Sequence, residues 1–263
     1  MTRVLLLLPP SEGKAAAVRG RPLDLGSLSS PVLTAARQDV LDALVTLCSR
    51  SPEDARQALG LGPTQAEEVL RNTRLREAPT ARADRVYRGV LYEALDLPGL
   101  DAASRRRATT RVAVTSALFG LLRPTDRVPA YRLSGSVTLP GVGPVAAHWS
   151  RHLGLAVEAA ARGGLLVDLR STAYASFWRP SRDDAVRSCT VRVLHETGGR
   201  RTVVSHANKA TKGRLVRDLL TSGVAPQRPA ALAEALRDLG WYVEAGSARA
   251  GGPTPLDVVV REL

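Results

Sequence analysis

The sequence predicts a mixed α/β protein with a single compact domain, and three observations carry that expectation. Apolar runs of strand length, Arg3–Leu8, Arg111–Ser116 and Gly164–Leu169, read as strands buried on both faces. Most such runs are followed by a polar loop and then a helical pattern, which suits a mixed sheet with its site at the strand ends. The 263 residues are 44% hydrophobic and 24% charged, enough apolar material for a sizeable core and too much for a disordered chain.

The elements follow in order. The first strand stops at Pro9-Pro10, and Ser11-Glu12-Gly13-Lys14 forms a polar loop in which Gly13 allows close backbone approach. Helices are expected over Pro31–Ser49, from Pro52 to a break at Gly60-Leu61-Gly62, over Pro63–Arg74 and over Asp84–Leu95. The strand Arg111–Ser116 leads into an irregular stretch with Pro129, Pro140 and Pro144, then a helix over Val145–Arg162. Cys189–His195 and Arg201–Ser205 alternate apolar and polar around Gly198-Gly199 and read as a hairpin. Helices over Asn208–Thr221 and Pro229–Leu239 precede a second hairpin-like pair, Trp241–Glu244 and Leu256–Val260.

Several classes of protein are disfavoured at once. Two cysteines, Cys48 and Cys189, cannot form a disulfide framework or a Cys-rich metal site. The apolar run Val4–Pro10 is too short to span a bilayer and lacks the flanks of a secretory signal, so a cytoplasmic protein with no membrane association is expected. No Gly-x-Gly-x-x-Gly follows the first strand and no Walker-type loop occurs, so no nucleotide cofactor is expected. His148 and His152 lie four apart on a helix, but Trp149 sits where a metalloprotease carries its Glu, so no metal is expected.

Charge and rare residues point towards a partner. The net charge is +12, and residues 101–220 hold 20 basic against 8 acidic side chains, so the whole excess sits there. Such a field favours a polyanion, with nucleic acid foremost. Eight of the ten aromatics fall between Tyr87 and Trp178, many beside arginines, a pattern that suits either base stacking or a core with arginines snorkelling past it. Of 37 basic residues only Lys14, Lys209 and Lys212 are lysines; a chain this rich in Arg keeps Lys where a compact ammonium or a nucleophile is needed.

Three segments could carry chemistry. Ala55–Leu70 matches a helix-hairpin-helix, within a segment at about 52–74, whose Gly60 and Gly62 would bring backbone N–H groups against a DNA phosphate, although Glu67 and Glu68 would repel it. Lys209 and Lys212, with Arg214 beyond them, are placed near a helix N-terminus to hold phosphate or carboxylate. Asp168 at a strand end is either a structural acid or a buried carboxylate, and with Glu12, Lys14 and Tyr174 it could form an acid/base group. Ser11, Arg123, Tyr131, Arg132 and Ser171 complete the expected ligand-binding set.

Pro9–Lys14, Val86–Tyr92, Ser116–Asp126 with Pro129–Leu133, His148-Trp149, Val167–Tyr174 and His206–Gly213, in that order, resemble the YaaA family over nearly the whole chain. The resemblance implies a role in peroxide stress, where the family limits free iron and so DNA damage, and DNA binding by one mixed α/β domain with a helix-hairpin-helix. The loop Pro-Pro-Ser-Glu-Gly-Lys differs from the enterobacterial Ser-Pro-Ala-Lys, and Arg170 stands where that branch has a small residue. The leading expectation is a protein that protects DNA from oxidative damage by binding duplex or structured DNA with little sequence preference. The alternative is an enzyme, N-glycosidase-like, acting on a nucleotide, nucleoside or damaged base. A purely structural partner-binding protein is disfavoured by the polar loops.

Overall fold

The computed structural model describes residues 4–203 and 205–261. Arg3 and Val204, both expected in strands, lie outside the described residues. The chain opens on β1 (Val4–Leu8) and passes through α1 (Thr34–Arg50), α2 (Pro52–Ala58) and α3 (Ala66–Thr73). Next come α4 (Ala83–Val86), α5 (Val90–Leu95) and α6 (Ala102–Arg111). The hairpin of β2 (Val112–Ser116) and β3 (Gly120–Leu122) leads to α7 (Val145–Ala161) and β4 (Leu165–Asp168). Short helices α8 (Thr172–Ala175) and α9 (Arg182–Ala185) precede β5 (Ser188–Thr197) and β6 (Arg200–Thr202). The chain closes with α10 (Ser205–Ser222), α11 (Pro229–Asp238), β7 (Val243–Ala245) and β8 (Thr254–Val260).

These strands make one eight-stranded mixed sheet in the order β7-β8-β5-β4-β1-β2-β3, with β6 paired to β5. The middle is parallel: β2, β1, β4, β5 and β8 run the same way, with antiparallel pairs at the two margins and where the short β6 joins the end of β5. β1 is central and buried at all five positions, which is why its sequence is an unbroken apolar run: helices cover both faces. Its register sets Leu7 beside Asp168 and Leu8 beside Val114, so the carboxyl ends of β1, β2 and β4 finish side by side.

The single mixed α/β domain is as the sequence predicts, with three local differences. The helix expected over Asp84–Leu95 is two, because Gly89 between them adopts φ 99°, a left-handed conformation that breaks the helix. Ser205 starts α10 instead of ending a strand. The eight aromatics from Tyr87 to Trp178 are all buried, none more than 8% exposed, so they build the core and do not present faces for stacking on bases.

One close approach fixes the site's frame. At Gly213 in α10 a Cβ would collide with the Leu91 carbonyl oxygen and Ala94 of α5, so glycine lets the two helices touch. α5 carries Tyr92, whose hydroxyl donates to the Pro9 carbonyl at 2.7 Å and anchors the loop after β1.

Candidate functional site

The loop after β1 is stitched to the α4–α5 junction. Lys14 bridges Tyr87, Ala15 N–H donates to Val86 O at 2.8 Å, and Arg88 N–H donates to Ser11 Oγ at 3.0 Å. Ser11 Oγ in turn donates to Gly13 O at 2.6 Å. The fold of the loop turns Lys14 back on itself, so that Nζ donates to Ser11 O at 2.8 Å and to Glu12 O at 3.4 Å.

Tyr131 forms the floor. Its ring centroid lies 4.1 Å from Lys14 Nζ, with the Tyr87 ring at 5.8 Å. The Tyr131 hydroxyl lies 2.8 Å from Ser116 Oγ and 3.1 Å from the Tyr87 hydroxyl, a buried network at the end of β2. Burial pushes the Tyr87 phenol up to about 12 and the Tyr131 phenol well above its ordinary value, so both remain protonated near neutral pH.

The wall is the Glu12–Arg132 ion pair at 3.0 Å, with side-chain exposures of 54% and 22%. Arg132 is fixed from behind by Asn72 of α3, which is fully buried. Asn72 Nδ2 donates to Arg132 O at 2.7 Å, and Arg132 N–H donates to Asn72 Oδ1 at 2.9 Å. Desolvation lowers the Lys14 ammonium to about 8, with Glu12 and Glu68 opposing the shift and Arg132 and Arg71 reinforcing it. Tyr174 joins the same field: burial and the Glu12 carboxylate raise its phenol, and the hydroxyl accepts from Gly135 N–H at 3.2 Å.

A second group lies beside this one at the end of β4. The guanidinium of Arg170, 1% exposed, grips both oxygens of Asp168 at 2.9 and 2.7 Å. Arg170 also donates to the carbonyls of Tyr174 and Trp178. Asp168 is therefore the paired acid of a loop brace, and the expected four-residue acid/base group divides: Glu12, Lys14 and Tyr174 share one field, while Asp168 serves Arg170. Lys212 Nζ donates to Leu169 O at 3.0 Å and Arg170 O at 3.5 Å, and burial lowers it to about 8 against the pull of Asp168.

The remaining expected residues fall as follows. Arg123 is not at the site: its guanidinium donates to the carbonyls of Thr110 and Val112, at the opposite end of β2, and of Ala160. It ties the start of β2 to the end of α7 because a fork of donors suits the unpaired carbonyls of strand and helix termini. Lys209 and Arg214 are exposed on α10, and Ser171 is exposed at the start of α8. The sequence did not single out Asn72 or Arg71 and named Glu68 only as an acid that would repel phosphate, since a buried amide has no spacing signature.

The segment at about 52–74 folds as α2, a turn in which Gly60 takes φ 64°, and α3. The N–H groups of its turn are already used. Gly60 donates to Gln57 O at 3.0 Å, Leu61 to Arg56 O at 2.9 Å, and Gly62 to Gln65 Oε1 at 3.0 Å. A phosphate seated on this turn would have to displace those bonds. Two cavities lie away from the Lys14 cluster. One of about 340 Å³ lies against Gly164, Leu166 and Arg187, and a groove of about 620 Å³ runs between α1, α2 and α3 past Cys48, Val69 and Leu70. Among the described residues no helix is long and apolar enough to cross a membrane.

A family model described as peroxide stress protein YaaA matches residues 4–246. The chain belongs to the YaaA family. A UPF0246 protein of Streptomyces coelicolor is 54% identical over 261 residues, covering 99% of this chain and 100% of the relative. A UPF0246 protein of Corynebacterium efficiens is 40% identical over 249 residues, 94% of this chain and 97% of the relative. Another from Corynebacterium glutamicum is 41% identical over 225 residues, 83% and 86%. The YaaA match takes in the Lys14 loop, Arg132 and Lys212 alike.

Proposed function

We propose that the protein protects DNA against oxidative damage by binding it through the basic stretch and acting on it at the Lys14 cluster. The observation that carries the chemical half is the desolvated Lys14 amine, set over Tyr131 beside the half-exposed Glu12–Arg132 pair. Plain charge neutralisation has no need of a cation held out of water. The site stands where open sheets hold ligands, outside the carboxyl ends of parallel strands on either side of a central one. The support for DNA as the polyanion is the net excess confined to residues 101–220 and the family's association with peroxide stress.

A second reading, a free nucleotide or nucleobase as ligand, is favoured by the low exposure of Arg132, which suits a small molecule as well as a strand. One titration separates the two. Anisotropy with a fluorescent duplex should show affinity falling tenfold or more between about 50 and about 200 mM salt, as counterion release demands for several phosphate contacts. Failure to bind duplex or single-stranded DNA at the lower salt, with thermal stabilisation by free nucleotides, replaces the DNA reading with the second one.

A further inference from the structure

We infer that the Lys14 amine is a covalent nucleophile that forms an imine with the ring-opened aldehyde of a base-less deoxyribose phosphate in DNA. The inference deepens the proposed function and rests on its DNA reading.

The geometry argues for an amine head held in one orientation. A neutral amine has two N–H bonds and one lone pair, and Lys14 Nζ has two carbonyl acceptors, Ser11 O at 2.8 Å and Glu12 O at 3.4 Å. Once the ammonium loses its proton, the amine keeps both bonds and presents its lone pair at the remaining tetrahedral position. The Tyr131 ring at 4.1 Å packs the head of the side chain. The charged groups facing it are Glu12 from its own loop, Arg132, and Glu68 and Arg71 from α3; the two acids favour the ammonium more than the two guanidiniums oppose it, and desolvation outweighs both. Lys212 has a similar pair of carbonyl contacts, but the acid in its field, Asp168, is gripped by Arg170 and offers no free proton carrier. Lys14 has Glu12, 54% exposed and salt-bridged to Arg132.

An amine nucleophile selects its electrophile. It adds readily to carbonyl carbon to form a Schiff base. In a nucleic acid the accessible aldehyde is C1′ of a deoxyribose that has lost its base, and Arg132 beside the amine suits the adjoining phosphate. The Nζ lone pair forms the C–N bond as the carbonyl π pair moves to oxygen; the Glu12 carboxylate takes the proton that the nitrogen sheds and passes it to that oxygen, giving a neutral carbinolamine. A second proton, drawn from solvent through Glu12, lets the oxygen leave as water, giving a protonated imine. One aldehyde, one amine and one proton thus become one iminium and one water, with no oxidant or reductant.

The scarcity of lysine makes the test clean, because arginine forms no such imine. The full chain would be incubated with a duplex carrying one abasic site and reduced with borohydride, which converts the imine to a stable secondary amine. Intact duplex and a duplex with a tetrahydrofuran abasic analogue, which has no aldehyde, serve as controls, and 2-deoxyribose 5-phosphate tests a free sugar phosphate as the source. The expected result is a denaturation-resistant adduct with the abasic duplex alone, mapped by peptide mass spectrometry to Lys14 and reduced at least tenfold in Lys14→Arg. Anisotropy on the tetrahydrofuran duplex reads non-covalent binding separately, so binding without an adduct overturns the covalent step and spares the DNA reading, whereas no binding overturns both. An adduct on Lys209, Lys212 or the terminal amine overturns the assignment even if Lys14→Arg fails to fold. Labelling by the free sugar phosphate with none by the duplex overturns the choice of DNA.

Discussion

Replacing Lys14 by Met tests the desolvated amine without any ligand. Burial lowers the Lys14 ammonium from 10.5 to about 8, so the unfolded chain binds a proton more tightly than the folded one between those values. Stability rises with pH wherever the unfolded state holds more protons, so Lys14 penalises folding most below about pH 8, and the penalty is relieved as pH climbs towards 10.5. Integrating the two pKa values, the penalty falls by about 2.5 kcal/mol between about pH 7 and about pH 10. Methionine keeps the unbranched stem and packs its sulfur against the Tyr131 ring, but it does not titrate. Urea unfolding of both proteins across that range therefore gives a stability difference that moves in favour of the wild type by roughly this amount as pH rises. Other titrating groups cancel between the two proteins to first order. A difference that stays flat, or moves the other way, refutes a desolvated amine at Lys14.

Three further outcomes are expected. Asn72→Ala strands the buried main-chain N–H and C=O of Arg132, so stability should fall by about 2–4 kcal/mol in urea unfolding, with loss of ligand response at the Lys14 cluster. Gly213→Ala forces α10 away from α5 and should cost about 1–3 kcal/mol by thermal or urea unfolding, whereas Gly154→Ala on α7, with only Glu158 Oε1 nearby, should cost nothing. Arg123→Ala should lower the melting temperature and leave borohydride trapping at Lys14 unchanged, since its bonds lie at the other end of β2; reduced trapping in a folded Arg123→Ala returns it to the site.

The sheet was legible because parallel strands covered on both faces leave unbroken apolar runs, as in Val4–Leu8 and Val112–Ser116. The Ser11–Lys14 loop was legible because a polar turn after such a strand stands where ligands bind. Arg123 was misplaced because a guanidinium that ties chain carbonyls reads, in one dimension, like one that awaits an anion. Asn72 and Arg132 lie 60 positions apart in sequence, and no local pattern announces that an amide will clamp that main chain. The Gly-Leu-Gly turn is the converse case: it joins two helices, but its donors close on Gln57, Arg56 and Gln65. α3 faces the site instead, with Asn72 behind Arg132 and with Glu68 and Arg71 in the field of Lys14.

The three retained lysines divide for a physical reason that composition alone does not contain. Lys14 and Lys212 each put a compact ammonium between two main-chain carbonyls; Lys209, three residues before Lys212 on α10, is exposed. A guanidinium in either slot would carry five N–H donors into a place with two acceptors, leaving buried donors unpaired at about 1–3 kcal/mol each. Packing by itself therefore explains why arginine is absent from both slots, and retention of lysine is no proof of chemistry. What separates the two is the company each amine keeps. Lys212 braces the Leu169–Arg170 main chain over an aspartate already paired, so Lys212→Met should disturb folding more than reactivity. Lys14 has a half-exposed carboxylate and a guanidinium at its side, and under the proposed function the loss of the amine should abolish borohydride trapping while leaving anisotropy on the duplex unchanged.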